Sequence, residues 1–74
     1  MSMTIVGLEG CGMCSMVHEK FPNVKYVVVK KVCSGDKDCM EFKKALGKFP
    51  TVEHFPIVMN EDMTEILPLE SLNG

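Results

Sequence analysis

The sequence contains no arginine: all eight of its cations are lysines, and its formal net charge is −2. Proteins whose main task is nucleic-acid binding usually present a basic face, so this composition argues against that class. Without guanidinium groups, the chain also lacks the planar fork that holds a carboxylate or phosphate at two points. Any bound anion would therefore be held by lysine or by backbone N–H groups.

The chain also has no apolar run that approaches the roughly 20 residues of a membrane-spanning helix. Its N-terminus lacks a basic segment followed by a long apolar stretch, which is the pattern of a secretory signal peptide. We therefore expect a soluble, cytoplasmic protein that contacts neither membrane nor nucleic acid. The length of 74 residues predicts a single domain over 1–74. We also expect the protein to be a monomer.

Apolar spacing gives the order of the secondary-structure elements. β-branched apolar runs predict strands, and apolar positions three and four residues apart predict helices. Pro22 ends the first helix, whereas Asp36 or Ser34 caps the second helix and Gly47 stops it. The predicted elements are strand 3–8, helix 12–21, strand 25–30, a helix from the 34–36 turn to 46, strand 55–59, strand 63–67 and a short helix at 68–72.

Four cysteines are many for a chain of this length. In the absence of a secretion signal, they favour redox chemistry or metal binding over purely structural disulfides. Cys11 and Cys14 lie between the first predicted strand and the first predicted helix. A helix N-terminus stabilises a thiolate through its dipole and its free N–H groups. We therefore predict that Cys11 is a nucleophile and that Cys14 resolves the mixed disulfide formed on Cys11.

This strand–CxxC–helix start, followed by a strand entered through Phe55-Pro56, resembles the glutaredoxins of the thioredoxin-like superfamily. The resemblance implies an α/β fold with a four-stranded mixed sheet flanked by helices on both faces. It implies a cis Pro56 against the dithiol, and a Phe55 backbone that pairs with a bound peptide or with glutathione. The implied activity is thiol–disulfide exchange, with glutathione as cosubstrate and no metal.

The resemblance also suggests further substrate-binding residues. Gly12 and Met13 stand where glutaredoxins usually carry Pro-Tyr, and Glu70 and Ser71 stand where two acids usually lie near the γ-glutamyl group. Glu9 occupies the position of a basic residue that usually precedes the first cysteine. The implied partners are disulfide-bearing proteins, with ribonucleotide reductase as a candidate. The implied electron donor is glutathione or a thioredoxin-reductase-type enzyme.

Other classes of protein stay open on the sequence. Cys33 and Cys39, added to the first pair, would supply the four thiolates of a structural zinc site. A redox-inert scaffold of the same fold, or a monothiol-type role in cluster handling, are further alternatives. Cys39 itself fits the apolar stripe of the second helix as a small hydrophobe, or it forms an accessory disulfide with Cys33 across the intervening turn.

A few other side chains carry expectations. His18 is expected to be a partly solvated surface residue, whereas His54 is a candidate acid or base at the edge of the site. By resemblance, Lys43 or Lys44 is a candidate for binding the glycine carboxylate of glutathione. Most of the seven methionines are expected to fill the core, with Met13 exposed beside the dithiol.

Overall fold

The fold is a small α/β arrangement built on a four-stranded mixed sheet. The computed structural model describes residues 3–52 and 54–73. The elements are β1 (Met3–Leu8), α1 (Gly12–Lys20), β2 (Lys25–Val29), α2 (Lys37–Leu46), β3 (Ile57–Asn60), β4 (Ile66–Leu67) and a 3₁₀ helix, η1 (Leu69–Asn73). The predicted domain, 1–74, includes Met1, Ser2, Glu53 and Gly74, which lie outside the described residues.

The strand directions bring several segments to one edge of the sheet. The strand order is β2-β1-β3-β4. β1 pairs in parallel with β2, and β3 runs antiparallel to both β1 and β4. The carboxyl ends of β1, β2 and β4 therefore meet the amino end of β3 at the same edge, which we call the carboxyl edge. Both helices and η1 are entered from this edge.

The two helices cover opposite faces of the sheet. Alternate residues of a strand point to opposite faces. In β1, the neighbouring residues Val6 and Gly7 therefore face different helices. Val6 belongs to the main core cluster, which joins the sheet to α2 through Val27, Val29, Phe42, Ala45, Ile57 and Met59. Gly7 instead approaches Cys14 in α1. Within the described residues, no helix is both long and apolar enough to cross a membrane.

The N-terminal half follows the sequence prediction closely. β1 has the predicted bounds, while α1 and β2 each end one residue earlier than predicted. Asp36, rather than Ser34, caps α2, because its Oδ1 accepts the backbone N–H of Cys39 at 3.1 Å. Ser34 instead has a positive φ of 49° in the preceding turn. α2 ends at Leu46 with Gly47 as its C-cap, as predicted.

The predicted strand 63–67 is wrong for most of its length, since β4 contains only Ile66 and Leu67. The Asn60 side chain explains the difference: its Oδ1 accepts the backbone N–H groups of Thr64 at 2.9 Å and Glu65 at 3.0 Å. These bonds fold the segment after β3 into a loop, in which Met63 has a φ of 59°. β3 is also shifted, running over Ile57–Asn60 instead of 55–59.

The expectation that methionines fill the core is only partly correct. Met59 is fully buried in the main core cluster. Met16 is 68% exposed and Met40 is 49% exposed, in addition to Met13, for which exposure was expected. α1 contributes only Cys14 as a fully buried side chain, so its methionines remain on the outer surface.

We expect Met59→Ala to lower the free energy of unfolding by about 2–5 kcal/mol, because it leaves a cavity in the main core cluster. Met16→Ala removes the same atoms from an exposed position and should change the free energy by less than about 0.5 kcal/mol. Urea unfolding of both variants under oxidising conditions measures the difference. Equal effects would show that the burial of Met59 is wrong.

Candidate functional site

A tight turn at the carboxyl edge brings Cys11 to the start of α1. The backbone N–H of Cys11 donates to the carbonyl oxygen of Leu8 at 3.2 Å. Gly10, the third residue of this turn, has a φ of +79°. That backbone conformation favours glycine, because a Cβ atom would be strained there. The turn reverses the chain directly into Gly12, the first residue of α1.

Cys11 is the N-cap of α1. Its Sγ accepts the backbone N–H of Cys14 at 3.2 Å, which is the contact that a capping side chain normally makes. When the thiol is reduced, this N–H group and the positive end of the helix dipole both favour the thiolate. The predicted nucleophile therefore lies in a position that supports thiolate chemistry.

The two cysteines of the motif form a disulfide but differ in exposure. Cys11 is half-buried, whereas Cys14 is 0% exposed. Their Cα atoms are 5.3 Å apart, a separation that is normal for a disulfide. An external thiol can therefore approach Cys11 but not Cys14. This asymmetry is what a nucleophile and a resolving thiol require.

The burial of Cys14 depends on Gly7 in the adjacent strand. A Cβ atom placed on Gly7 would lie 2.7 Å from Cys14 Cβ and 2.9 Å from the Tyr26 hydroxyl oxygen. Real Cβ atoms do not approach other atoms so closely, so only glycine fits between this strand and the helix. Tyr26, in β2, thereby lies next to both Gly7 and the dithiol.

An open pocket of about 390 Å³ lies beside Cys11. Sequence reasoning did not find its walls on β2, because their proximity to Cys11 depends on the parallel pairing of β1 with β2. The described lining residues are Leu8, Glu9, Gly10, Cys11, Gly12, Ser15, Tyr26 and Val28. Most of these residues are apolar, and Glu9 is the one acidic residue among them.

His18 is partly solvated, as expected, and it also packs against Tyr26, one of the residues that line this pocket. The two rings stack with their centroids 4.5 Å apart and an interplanar angle of 13°. His18 is half-buried, and its Nδ1 is buried without a hydrogen-bond partner among the described residues. The spacing from Cys14 to His18 was the available signal, since residues four apart share one helix face.

The predicted residues outside α1 also reach the carboxyl edge. Pro56 is buried, precedes β3 and is joined to Phe55 by a cis peptide bond, as the resemblance implies. Glu70 is exposed and Ser71 half-buried in η1, which follows β4 at the same edge. None of these four is among the described lining residues of the pocket beside Cys11. His54 is exposed in the segment before β3.

Cys33 and Cys39 form a second disulfide at the start of α2, with their Cα atoms 5.5 Å apart. The sequence left two roles open for Cys39, a small apolar residue of the helix stripe or a partner in a disulfide. It has both, since its side chain is 0% exposed and bonded to Cys33. The two pairs belong to helices on opposite faces of the sheet. Among residues 3–52 and 54–73, no group of three or more His, Cys, Asp or Glu side chains lies close enough to hold a metal ion.

Lys43 and Lys44, suggested by the resemblance as anion ligands of the first site, lie beside the second disulfide. Together with Cys33, they line a separate pocket on the α2 side. Lys43 Nζ also donates to the carbonyl oxygen of Lys31. The structure therefore does not bring either lysine to the pocket beside Cys11.

Comparisons with protein-family models, with curated proteins and with solved structures each return no match. The structure itself shows a small α/β protein with a four-stranded mixed sheet, two α-helices and two disulfides. The geometry of Cys11 and Cys14, together with the motif resemblance, is therefore what bears on function.

We expect Gly7→Ala to lower the free energy of unfolding by about 1–3 kcal/mol, because the added methyl group forces α1 away from β1. Urea unfolding of the oxidised protein measures this loss.

Gly12→Ala is the matched control, since a Cβ atom there would have no described atom within 4 Å other than its chain neighbours and the backbone of its own helix. Its stability should equal that of the unchanged protein or exceed it by about 0.5–1 kcal/mol. If Gly7→Ala were as stable as Gly12→Ala, the close packing of Cys14 on β1 would be refuted.

Proposed function

We propose that this protein is a glutaredoxin-like thiol–disulfide oxidoreductase with a thioredoxin-type fold. The observation that carries the proposal is the asymmetry of its CxxC pair. Half-buried Cys11 caps the N-terminus of α1, and Cys14 is fully buried one turn further on. An accessible thiol in a thiolate-stabilising position, with a second thiol shielded behind it, is suited to disulfide exchange.

The first step starts from the reduced protein. The Cys11 thiolate attacks one sulfur of a substrate disulfide, forming a Cys11–substrate mixed disulfide. The other substrate sulfur leaves as a thiolate and takes a proton from solvent. The backbone N–H of Cys14 and the helix N-terminus stabilise the attacking thiolate before this step.

The second step uses Cys14. Its thiolate attacks Cys11 Sγ, the bond to the substrate sulfur breaks, and the second substrate thiolate is released. The substrate disulfide has then gained two electrons, and the protein holds the Cys11–Cys14 disulfide, which is the pairing found in the structure. An external thiol donor, either glutathione or a thioredoxin-reductase-type enzyme, returns the electrons.

The surface around Cys11 supports a protein substrate. Met13 and Leu8 expose apolar side chains next to the dithiol. The pocket beside Cys11 adds Tyr26 and Val28, which suit an apolar side chain near the substrate disulfide. Disulfide-bearing proteins are therefore the proposed substrate class, with ribonucleotide reductase as a candidate from the resemblance alone.

A glutathione site depends more heavily on the resemblance. The residues proposed to contact glutathione or an extended peptide are Gly12, Met13, Phe55, Pro56, Glu70 and Ser71. All of them lie at the carboxyl edge, which is what supports grouping them around Cys11. Glu9, by contrast, lines the adjacent pocket, and its negative charge would repel an anionic ligand there.

We expect the unchanged protein to catalyse glutathione-dependent reduction of a small mixed disulfide and of a protein disulfide. Cys11→Ser should strongly reduce both rates, because the thiolate that attacks the substrate disulfide is lost. Cys14→Ser should accumulate a covalent mixed disulfide with the protein substrate, because that adduct can no longer be resolved internally. Absorbance assays and non-reducing gels with mass spectrometry measure these outcomes.

The alternative classes give different results in the same preparations. Activity with a thioredoxin-reductase-type enzyme but not with glutathione would support the oxidoreductase function and rule out glutathione as the electron donor. Stoichiometric zinc in the reduced protein, with all four cysteines protected from alkylation, would replace the proposal with a structural zinc module.

We expect Cys11 to react with iodoacetamide at least about tenfold faster than Cys14 after mild reduction, because only Cys11 is reachable and thiolate-stabilised. Mass spectrometry of proteolytic peptides after timed quenching gives both rates. Faster labelling of Cys14 would reverse the assigned roles of the two thiols.

A further inference from the structure

We propose that Cys33–Cys39 is a second exchangeable disulfide, which accepts small anionic thiols at Cys33. This disulfide lies on the α2 side of the sheet. The pocket that Cys33 lines and the pocket beside Cys11 have no described lining residue in common. The proposal is independent of the function assigned to Cys11 and Cys14. A structural disulfide that merely fastens α2 to the sheet is the alternative that the experiment must exclude.

The second disulfide is asymmetric in the same sense as the first. Cys39 is 0% exposed, whereas Cys33 is half-buried. Cys33 opens onto a surface pocket of about 400 Å³, whose other described lining residues are Ser34, Met40, Lys43 and Lys44. An incoming thiolate can therefore reach the Cys33 sulfur, while the Cys39 sulfur is shielded.

Cys39 is well placed to leave as a thiolate. Its Sγ accepts the backbone N–H of Lys30 at 3.3 Å. It is also the third residue of the ten-residue helix α2, where the helix dipole favours negative charge. Because a more stable leaving thiolate departs faster, both features promote exchange at Cys33.

The charge around the pocket favours an anionic attacking thiol. Five of the eight lysines lie between residues 30 and 44, against three of the ten acidic residues. One of those acids, Asp38, lies 3.6 Å from Lys25 Nζ, and Asp36 is engaged as the helix cap. Lys43 and Lys44 line the pocket directly, so the local potential attracts anions.

The exchange requires only an external monothiol as reductant. The thiolate attacks Cys33 Sγ, the Cys33–Cys39 bond breaks, and the Cys39 thiolate leaves and takes up a proton. The product carries the monothiol as a mixed disulfide on Cys33. A second monothiolate then attacks the sulfur of the bound monothiol, releasing a symmetrical external disulfide and the Cys33 thiolate. Two electrons pass from two monothiols to the protein disulfide.

The full-length Cys11→Ser/Cys14→Ser variant isolates this disulfide, and the unchanged protein is assayed beside it. Each is incubated without denaturant with 2-mercaptoethanesulfonate, which is anionic, or with cysteamine, which is cationic. Rates of adduct formation are divided by the rate of each thiol with a small uncharged disulfide, which removes differences in intrinsic reactivity. Peptide mass spectrometry assigns the adduct to Cys33 or Cys39.

We expect the adduct on Cys33, with a normalised rate about tenfold higher for the anionic thiol at low salt. The preference should largely disappear at about 1 M salt, where the screening length is about 3 Å. Adducts mainly on Cys39, or reduction no faster than global unfolding measured by hydrogen exchange, would overturn the proposal. An equal normalised rate for the two thiols would overturn its anionic specificity.

Substitutions of Lys44 and Lys48 test whether the charge in the pocket causes the preference for the anionic thiol. Lys44→Gln removes a positive charge from the pocket and should lower the anionic preference about two- to threefold. Lys48→Gln removes the same charge from the turn after α2, outside the described pocket lining, and should leave the preference unchanged. Equal effects of the two variants would refute the role of the pocket lysine.

Discussion

The candidate dithiol site depends on the close approach of α1 to β1 at Gly7. Because Gly7 has no side chain, the first turn of the helix packs directly on the strand backbone and buries Cys14 there. Cys11, three residues earlier, remains at the helix end, where its Sγ caps the first turn. The same contact places Tyr26 beside the dithiol and gives the pocket its second wall. The difference in exposure between the two thiols is therefore a consequence of packing, since the CxxC spacing alone does not specify it.

The direction of the parallel strands explains why both cysteine pairs lie at helix N-termini. β1 and β2 end at the carboxyl edge, and each is followed by a turn that leads into a helix. A helix entered there presents its free N–H groups and positive dipole end to the cysteines in the turn or the first helical turn. Each face of the sheet therefore carries a cysteine pair at the N-terminus of a helix. The surroundings differ: apolar residues and Glu9 adjoin the first pair, while lysines adjoin the second.

Local signals sufficed where one element is determined by nearby residues. The β-branched run of β1, the cap at Asp36 and the stop after Leu46 were all predictable, because each depends on contacts within a few residues. The β3–β4 hairpin was predicted, but its second strand was predicted to be too long. There, the Asn60 amide binds backbone groups of the next segment, and this side-chain contact overrides the strand propensity of residues 63–65.

The sequence by itself determined the order of strands and helices, the position of Cys11 at a helix start and the presence of a proline before β3. These features follow from hydrophobic spacing and from backbone preferences along the chain. Only the tertiary structure decided that Cys33 bonds Cys39, that Tyr26 and His18 stack behind Cys14, and that Lys43 and Lys44 adjoin the second disulfide. The Tyr26–His18 stack joins two elements, so it requires strand pairing and helix docking. Cys33 and Cys39 are only six residues apart, but their pairing depends on how the turn before α2 folds, which their spacing alone left open.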